Sequence, residues 1–154
     1  MKKLILLALT CVASVASYAA DNANYDALYE QISFDMPKVT APVFPNYQVN
    51  IKDFGAVGDG SSLCTEAFAR AIDHLSAKGG GKLVVPQGVW FTGPIVLKSN
   101  INLHLLKGAV ILFSPDPDLY PLIDTSFECL DTRRCQWPIS GRNLTNLAIT
   151  GKGA

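Results

Sequence analysis

Residues 54–72 read FGAVGDGSSLCTEAFARAI, and the fold turns on what this stretch is. Three glycines (Gly55, Gly58, Gly60) crowd one turn, Val49 to Lys52 before it reads as a strand, and an amphipathic helix follows. Strand, glycine turn and helix are also how a nucleotide phosphate is seated on a helix N-terminus. The details oppose that use. The order is G-x-x-G-x-G rather than G-x-G-x-x-G, and Asp59 puts an acid where the phosphate would sit. Gly79 to Lys82 lacks the Walker spacing, with Leu83 where Ser or Thr would meet magnesium. No nucleotide partner is expected.

Working outward, the helix is predicted from about Leu63 to Lys78. Phe68, Ala71, Ile72 and Leu75 share a stripe, Ser62 is its expected N-cap, and Gly79-Gly80-Gly81 stops it. Glu66, Arg70 and Asp73 fall off the stripe and read as solvated. Beyond the glycines come short apolar runs at Leu83–Val85, Val89–Phe91, Ile95–Leu97, Ile101–Leu105 and Ala109–Phe113. In INLHL, Ile101, Leu103 and Leu105 alternate with Asn102 and His104, the period of a strand. Strands this short, without helices between them, do not build a βαβ sheet. They suit a meander or a β-solenoid, in which the chain turns a corner every few residues. Ser114 to Pro138 interrupts the series and Leu144 to Thr150 resumes it, with Leu147 and Ile149 facing inward. A solenoid needs a cover over its first apolar coil, and the Phe68/Ala71/Ile72/Leu75 stripe is suited to be one.

The remaining features bound the class. The 154 residues suffice for one domain, and 13 basic residues balance 13 acidic ones. Met1-Lys2-Lys3, the apolar run Leu4 to Val15 and the small residues Ser17 and Ala19 read as a secretory signal, 1–19, cleaved after Ala19. Cys11 also admits a lipoprotein reading, although Thr10 is a poor residue before a lipidated cysteine. The run is too short to span a membrane. The expected location is therefore periplasmic or secreted, with no membrane partner after cleavage. With no basic stripe, no nucleic acid partner is expected. Residues 20–47 read as an extended, proline-bearing leader, with a short helix at Asp26 to Ile32, and 48–154 as the globular part. No metal-ligand spacing occurs, so no cofactor or metal is expected. Cys129 and Cys135 could close a small loop or stay as thiols.

VNIKDFGAVGDG, TEAFARAID and GGGKLVVPQGVWFTGPIVLKSNINLHLLKGAVI together resemble the N-terminal part of family 28 glycoside hydrolases, the bacterial polygalacturonases and their pectin-degrading relatives. FGAxGDG alone opens many proteins of the pectin-lyase-like fold; WFTGPIVLKSNINLHLLKGA points more narrowly to family 28. The resemblance runs from about Val49 to Ala154. It implies an all-β, right-handed parallel β-helix with an N-terminal capping α-helix, cut after its early rungs. It also implies inverting hydrolysis of galacturonosyl bonds, with an acidic plant cell-wall polysaccharide (pectin, galacturonans) as partner and no cofactor.

There are departures. Leu63 and Cys64 stand where the family has a polar pair, which puts the hydrogen bonding of the first helical turn in question. The family's Asn-Thr-Asp, Asp-Asp, Gly-His-Gly and Arg-Ile-Lys segments do not occur, so no catalytic residue is assigned and the chain by itself is expected to be inactive. The segment SPDPDLYPLIDTSFECLDTRRCQWPISGR is too long for a corner, and such excursions often wall a binding groove. Arg133 and Arg134 are candidates to meet sugar carboxylates, with Trp137 or Tyr120 stacking on a sugar face. The plainer reading pairs Arg133 or Arg134 with Asp131 or Glu128 to pin the loop. Two other functions fit the same fold: a polysaccharide lyase, or a non-catalytic carbohydrate-binding solenoid.

Overall fold

The computed structural model describes residues 29–30, 32–38, 40–124 and 132–154. It divides into two units, 1–40 and 41–154. Within the first, Phe34 is exposed and the Lys38 ammonium lies 5.8 Å from the centre of the Tyr29 ring. The expected signal at 1–19 and most of the expected short helix lie outside the described residues. Among those described, no helix is long and apolar enough to cross a membrane.

The second unit is a parallel β-helix. Its strands are β1 (Gln48–Asn50), β2 (Gly81–Val85), β3 (Gly88–Thr92), β4 (Ile95–Val96), β5 (Ile101–Leu105), β6 (Ala109–Phe113), β7 (Leu122–Asp124), β8 (Arg133–Cys135), β9 (Ile139–Ser140) and β10 (Ala148–Gly151). They stack into three parallel ladders: β1-β2-β5-β10, β3-β6 and β4-β9. Two coils, β2-β3-β4 and β5-β6-β9, each contribute one strand to every side of a three-sided tube, while β1 and β10 extend the first side alone, with Pro86, Gly93-Pro94 and Ser99-Asn100 at corners. The crossovers carry the right-handed sense that twisted strands impose on parallel connections.

Residues stack on their own kind along the tube. Val49, Leu83, Leu103 and Ile149 form one inward row in strict register, and Leu83 and Leu103 are fully buried. Trp90 and Ile111 pair in the second ladder, and Trp90 is fully buried with its indole N–H donated to the Pro86 carbonyl at 2.8 Å. Ile149 faces inward as expected but is 54% exposed, because no described strand lies on its far side. The corner before the first ladder is also stacked. Asn100 and Asn146, both with positive φ, lie one above the other, and Asn146 Nδ2 donates to Asn100 Oδ1 at 3.1 Å. One coil earlier the corner residue is Gly80, where a Cβ would collide with the Asn100 carbonyl.

Helix α1 (Thr65–Ala77) covers the end of the tube at the first coil. Ala67, Phe68, Ala71, Ile72 and Leu75 are buried in the same cluster as Ile51, Leu83, Trp90 and Ile95. Two expectations about its approach need correction. The first strand is shorter than Val49–Lys52: Ile51–Phe54 is a 3-10 turn, capped by Asn50, whose side chain accepts from Lys52 N while Asp53 accepts from Asn50 N. The helix begins at Thr65, and Ser62 is not its cap. Asp59 takes Ser62 instead, accepting from Ser61 N at 2.8 Å, Ser62 N at 2.7 Å and Ser62 Oγ at 2.7 Å. An Asx turn three residues earlier thus outcompetes the helix for that serine. Cys64 occupies the cap position without a side-chain cap; its thiol is buried and points at the Val57 and Ser62 carbonyls.

The glycine turn is accordingly structural. Gly55 and Gly60 have φ of 85° and 77°, which L side chains resist, and a Cβ on Gly58 would stand 3.0 Å from the Trp90 ring. Gly60 N donates to Val89 O and Cys64 N to Phe91 O, both at 2.8 Å, so the turn runs alongside β3 as its outer neighbour. The amides a phosphate would need are already held by Asp59.

Candidate functional site

Between β6 and β9 the chain leaves the tube and returns. Ser114, buried, donates its amide to Thr92 O at 2.7 Å and so starts the excursion from the second ladder. Its hydroxyl accepts from Asp116 N and its carbonyl from the Tyr120 hydroxyl, at 3.1 and 2.8 Å. Asp116 caps the 3-10 turn Pro117–Leu119, with Pro117 preset for a first helical position. Tyr120 thus has its hydroxyl committed at the root of the excursion. Leu119 packs toward Gly93, whose amide donates to Thr65 Oγ1 at 2.6 Å, tying this root to the start of α1.

The outer part contains an antiparallel strand pair, which the sequence pattern does not mark. β7 and β8 pair Leu122 with Cys135, Ile123 with Arg134, and Asp124 with Arg133. Gln136 N then donates to Pro121 O at 2.9 Å, Gln136 Nε2 to Ser140 Oγ at 3.1 Å, and Ile95 N to Pro138 O at 2.8 Å. These bonds seat Trp137 immediately before β9, beside the ladder that β9 makes with β4. Val96 and Ser140 are abreast there on the outer face.

The three candidate residues fall in this region with different surroundings. Arg134 lies over Trp137, its guanidinium carbon 5.8 Å from the ring centre, and Trp137 is 49% exposed. A cation–π contact of this kind contributes on the order of 0.5–1 kcal/mol at an exposed site. Arg133 Nε is 3.7 Å from Asp124 Oδ1, with both side chains exposed, an ion pair worth at most about 1 kcal/mol. Arg142, not singled out from the sequence, donates to the Asp124 carbonyl at 2.8 Å and ties β7 to the segment after β9. The signal for it was weak: a lone arginine in a glycine-bearing turn. Glu128, Cys129 and Asp131 lie outside the described residues, and with them the expected ion pairs and the Cys129–Cys135 bridge. Arg133 has found another carboxylate, because the register of β7 and β8 sets Asp124 opposite it.

Chemically the region combines a stacked guanidinium, a half-exposed indole and amide and hydroxyl groups from Gln136 and Ser140. Such a set suits a flat ligand that has both hydroxyls and carboxylates. Two shifted acids or bases lie elsewhere. The Ser61 and Ser62 amides and the Ser62 hydroxyl hold the Asp59 carboxyl far below the usual range. Burial, and then the nearby Lys82 ammonium, push His104 down.

The chain is similar to known proteins over most of its second unit. Residues 48–104 match the family model described as rhamnogalacturonase A/epimerase, pectate lyase-like. A protein of Vitis vinifera named a probable polygalacturonase is 39% identical over 113 residues, 68% of this chain and 23% of that protein. The crystal structure of an exopolygalacturonase from Thermotoga maritima is 49% identical, with a TM-score of 0.68 over 75% of this chain and 26% of that one. The family 28 exopolygalacturonase of Yersinia enterocolitica is 35% identical, with a TM-score of 0.62 over 70% of this chain and 20% of that one. The chain thus spans about a quarter or less of the length of these relatives.

Proposed function

We propose that this chain supplies the N-terminal part of an exported pectin-degrading glycoside hydrolase of the polygalacturonase type. The observation that carries the reading is its likeness, in sequence and in backbone, to the T. maritima exopolygalacturonase. In such an enzyme one carboxylic acid protonates the leaving oxygen, while an opposed carboxylate ~6.5–9.5 Å away activates water for inversion. No residue of this chain is assigned to that pair. The part played by this chain is to close the first end of the tube and to hold one wall of the groove. On that wall Arg134, stacked on Trp137, meets a galacturonate carboxylate, Trp137 offers its exposed ring to a sugar face, and Arg133 adds positive charge. Residues 1–19 direct export to the periplasm or the medium, and acidic cell-wall galacturonan is the substrate.

The test is product analysis with the polypeptide of the whole reading frame acting on polygalacturonate. New reducing ends of inverted configuration, with no ultraviolet-absorbing unsaturated ends, are expected. Unsaturated ends would make it a lyase. Tight binding without any product would make it a non-catalytic solenoid, and either result overturns the hydrolase reading.

A further inference from the structure

The outer face of the β1-β2-β5-β10 ladder carries a polar strip, on a different side of the tube from β4 and β9. Register fixes two rows: Gln48, Lys82, Asn102 and Ala148 abreast in one, and Asn50, Val84, His104 and Thr150 in the other. Gln48, Asn50 and Val84 also line a depression together with Asp53, whose carboxylate accepts from Asn50 N.

The hydrogen bonds within the strip decide the state of its histidine. Thr150 Oγ1 donates to Asn102 Oδ1 at 2.8 Å, which commits the only hydroxyl proton. His104 Nδ1 is 2.7 Å from the same oxygen, so this bond forms only with Nδ1–H as donor. Neutral His104 therefore holds its proton on Nδ1 and its lone pair on Nε2. Burial and the Lys82 charge keep it neutral at neutral pH. Lys82 is half-buried, and no ion pair to it occurs among the described residues. A cationic donor and a neutral acceptor thus stand on adjacent strands, diagonally across the ladder, on a partly exposed sheet.

We propose that this strip is a second binding site for acidic sugar polymers, in which Lys82 meets a uronate carboxylate and His104 Nε2 accepts a hydroxyl from the same chain. The ligand class follows from the pairing. A free sulfate satisfies Lys82 but brings no proton to Nε2, a hydrogen phosphate brings one P–OH but none of the further hydroxyls that the Gln48 and Asn50 amides suit, and a neutral glycan satisfies Nε2 but leaves the ammonium unmatched. A uronate does both, and Gln48 and Asn50 continue the strip with amides suited to hydroxyls. Asp53 repels carboxylates beside Asn50 and so directs the charged groups toward Lys82. The inference rests on the reading of the protein as one that handles acidic polysaccharide, but it concerns residues separate from Arg134 and Trp137.

The experiment titrates trigalacturonate into the mature polypeptide of the whole reading frame, isotope-labelled at its histidines, and follows the His104 ring nitrogens by NMR, assigned by the signal lost in His104→Phe. Trigalacturonate methyl ester serves as the uncharged control. Binding should move the Nε2 signal while Nδ1 stays protonated. Lys82→Gln should weaken binding at this site roughly tenfold, as expected for one charge-assisted contact. His104→Phe should weaken it roughly fivefold and the methyl ester should bind more weakly, whereas Arg134→Ala should leave the His104 response in place. An unmoved His104 signal at saturation, or unchanged affinity in Lys82→Gln with an otherwise native spectrum, overturns the proposal. A His104 response in a protein that proves to be no hydrolase would sink the reading of the whole enzyme and keep the strip; a hydrolase with a silent His104 would do the reverse.

Discussion

Asn146 sits directly above Asn100 at the same corner of successive coils, both in the left-handed region, and its side-chain amide donates to the Asn100 oxygen at 3.1 Å. Asparagine is the non-glycine residue that tolerates this backbone while offering a side chain able to repeat the bond. Asn146→Ala should lose the bond and strain the backbone together, for roughly 1.5–3 kcal/mol. Asn146→Gly keeps the backbone unstrained and loses only the side-chain bonds, to Asn100 Oδ1 and to the Val43 carbonyl, for about 1–2 kcal/mol. Urea midpoints of the two variants check the order, and equal losses would refute it.

Trp90 and Gly58 form a second testable pair. Trp90→Ala removes a fully buried indole and should cost about 3–5 kcal/mol. Gly58→Ala drives a methyl to 3.0 Å from that ring and should cost about 1–3 kcal/mol. The two are coupled: Gly58→Ala in a Trp90→Leu background should cost measurably less than alone, and simple additivity in thermal melts would contradict the contact.

Asp59 predicts an acid limb. Its carboxyl titrates lower folded than unfolded, so the folded state binds fewer protons at this site. Its contribution is complete above the ordinary aspartate range and is lost as pH falls below that range toward the depressed folded value. Asp59→Asn keeps an acceptor for the Ser61 and Ser62 amides but has no titration. Its stability should therefore fall less steeply with acid than that of the parent, as measured by denaturant midpoints from pH 7 to 3. Parallel curves would count against the assignment.

At the excursion the geometry predicts a difference between arginines. Arg134→Lys replaces the stacked fork with a point charge and should weaken oligogalacturonate binding about as much as Arg134→Ala, roughly three- to tenfold. Arg133→Ala should do less, because its guanidinium lies against Asp124 and not over the Trp137 ring. Calorimetric titrations of the three variants against trigalacturonate give the comparison; a larger loss for Arg133→Ala would reverse the roles.

Much of the tube was legible because its signals are local. Ile101, Leu103 and Leu105 alternate cleanly, and glycines and prolines mark the corners. The helix stripe of Phe68, Ala71, Ile72 and Leu75 was equally plain, and all four are buried. What failed depended on competition or on distant register. Ser62 has the right chemistry for a cap, but its hydroxyl is given to Asp59 and the helix starts only at Thr65. Asp124 and Arg133 meet only because two three-residue strands pair antiparallel, and strands so short leave no periodicity to read. The state of His104 required a threonine one coil away.

The β5–β10 register is the same on both sides of the excursion: Leu103 meets Ile149 as Leu83 meets Leu103. The tube resumes its step as though the intervening residues had not been added. Residues 114–138 therefore form a natural graft site, where a segment of different length or specificity can be exchanged while every inward side chain keeps its partner.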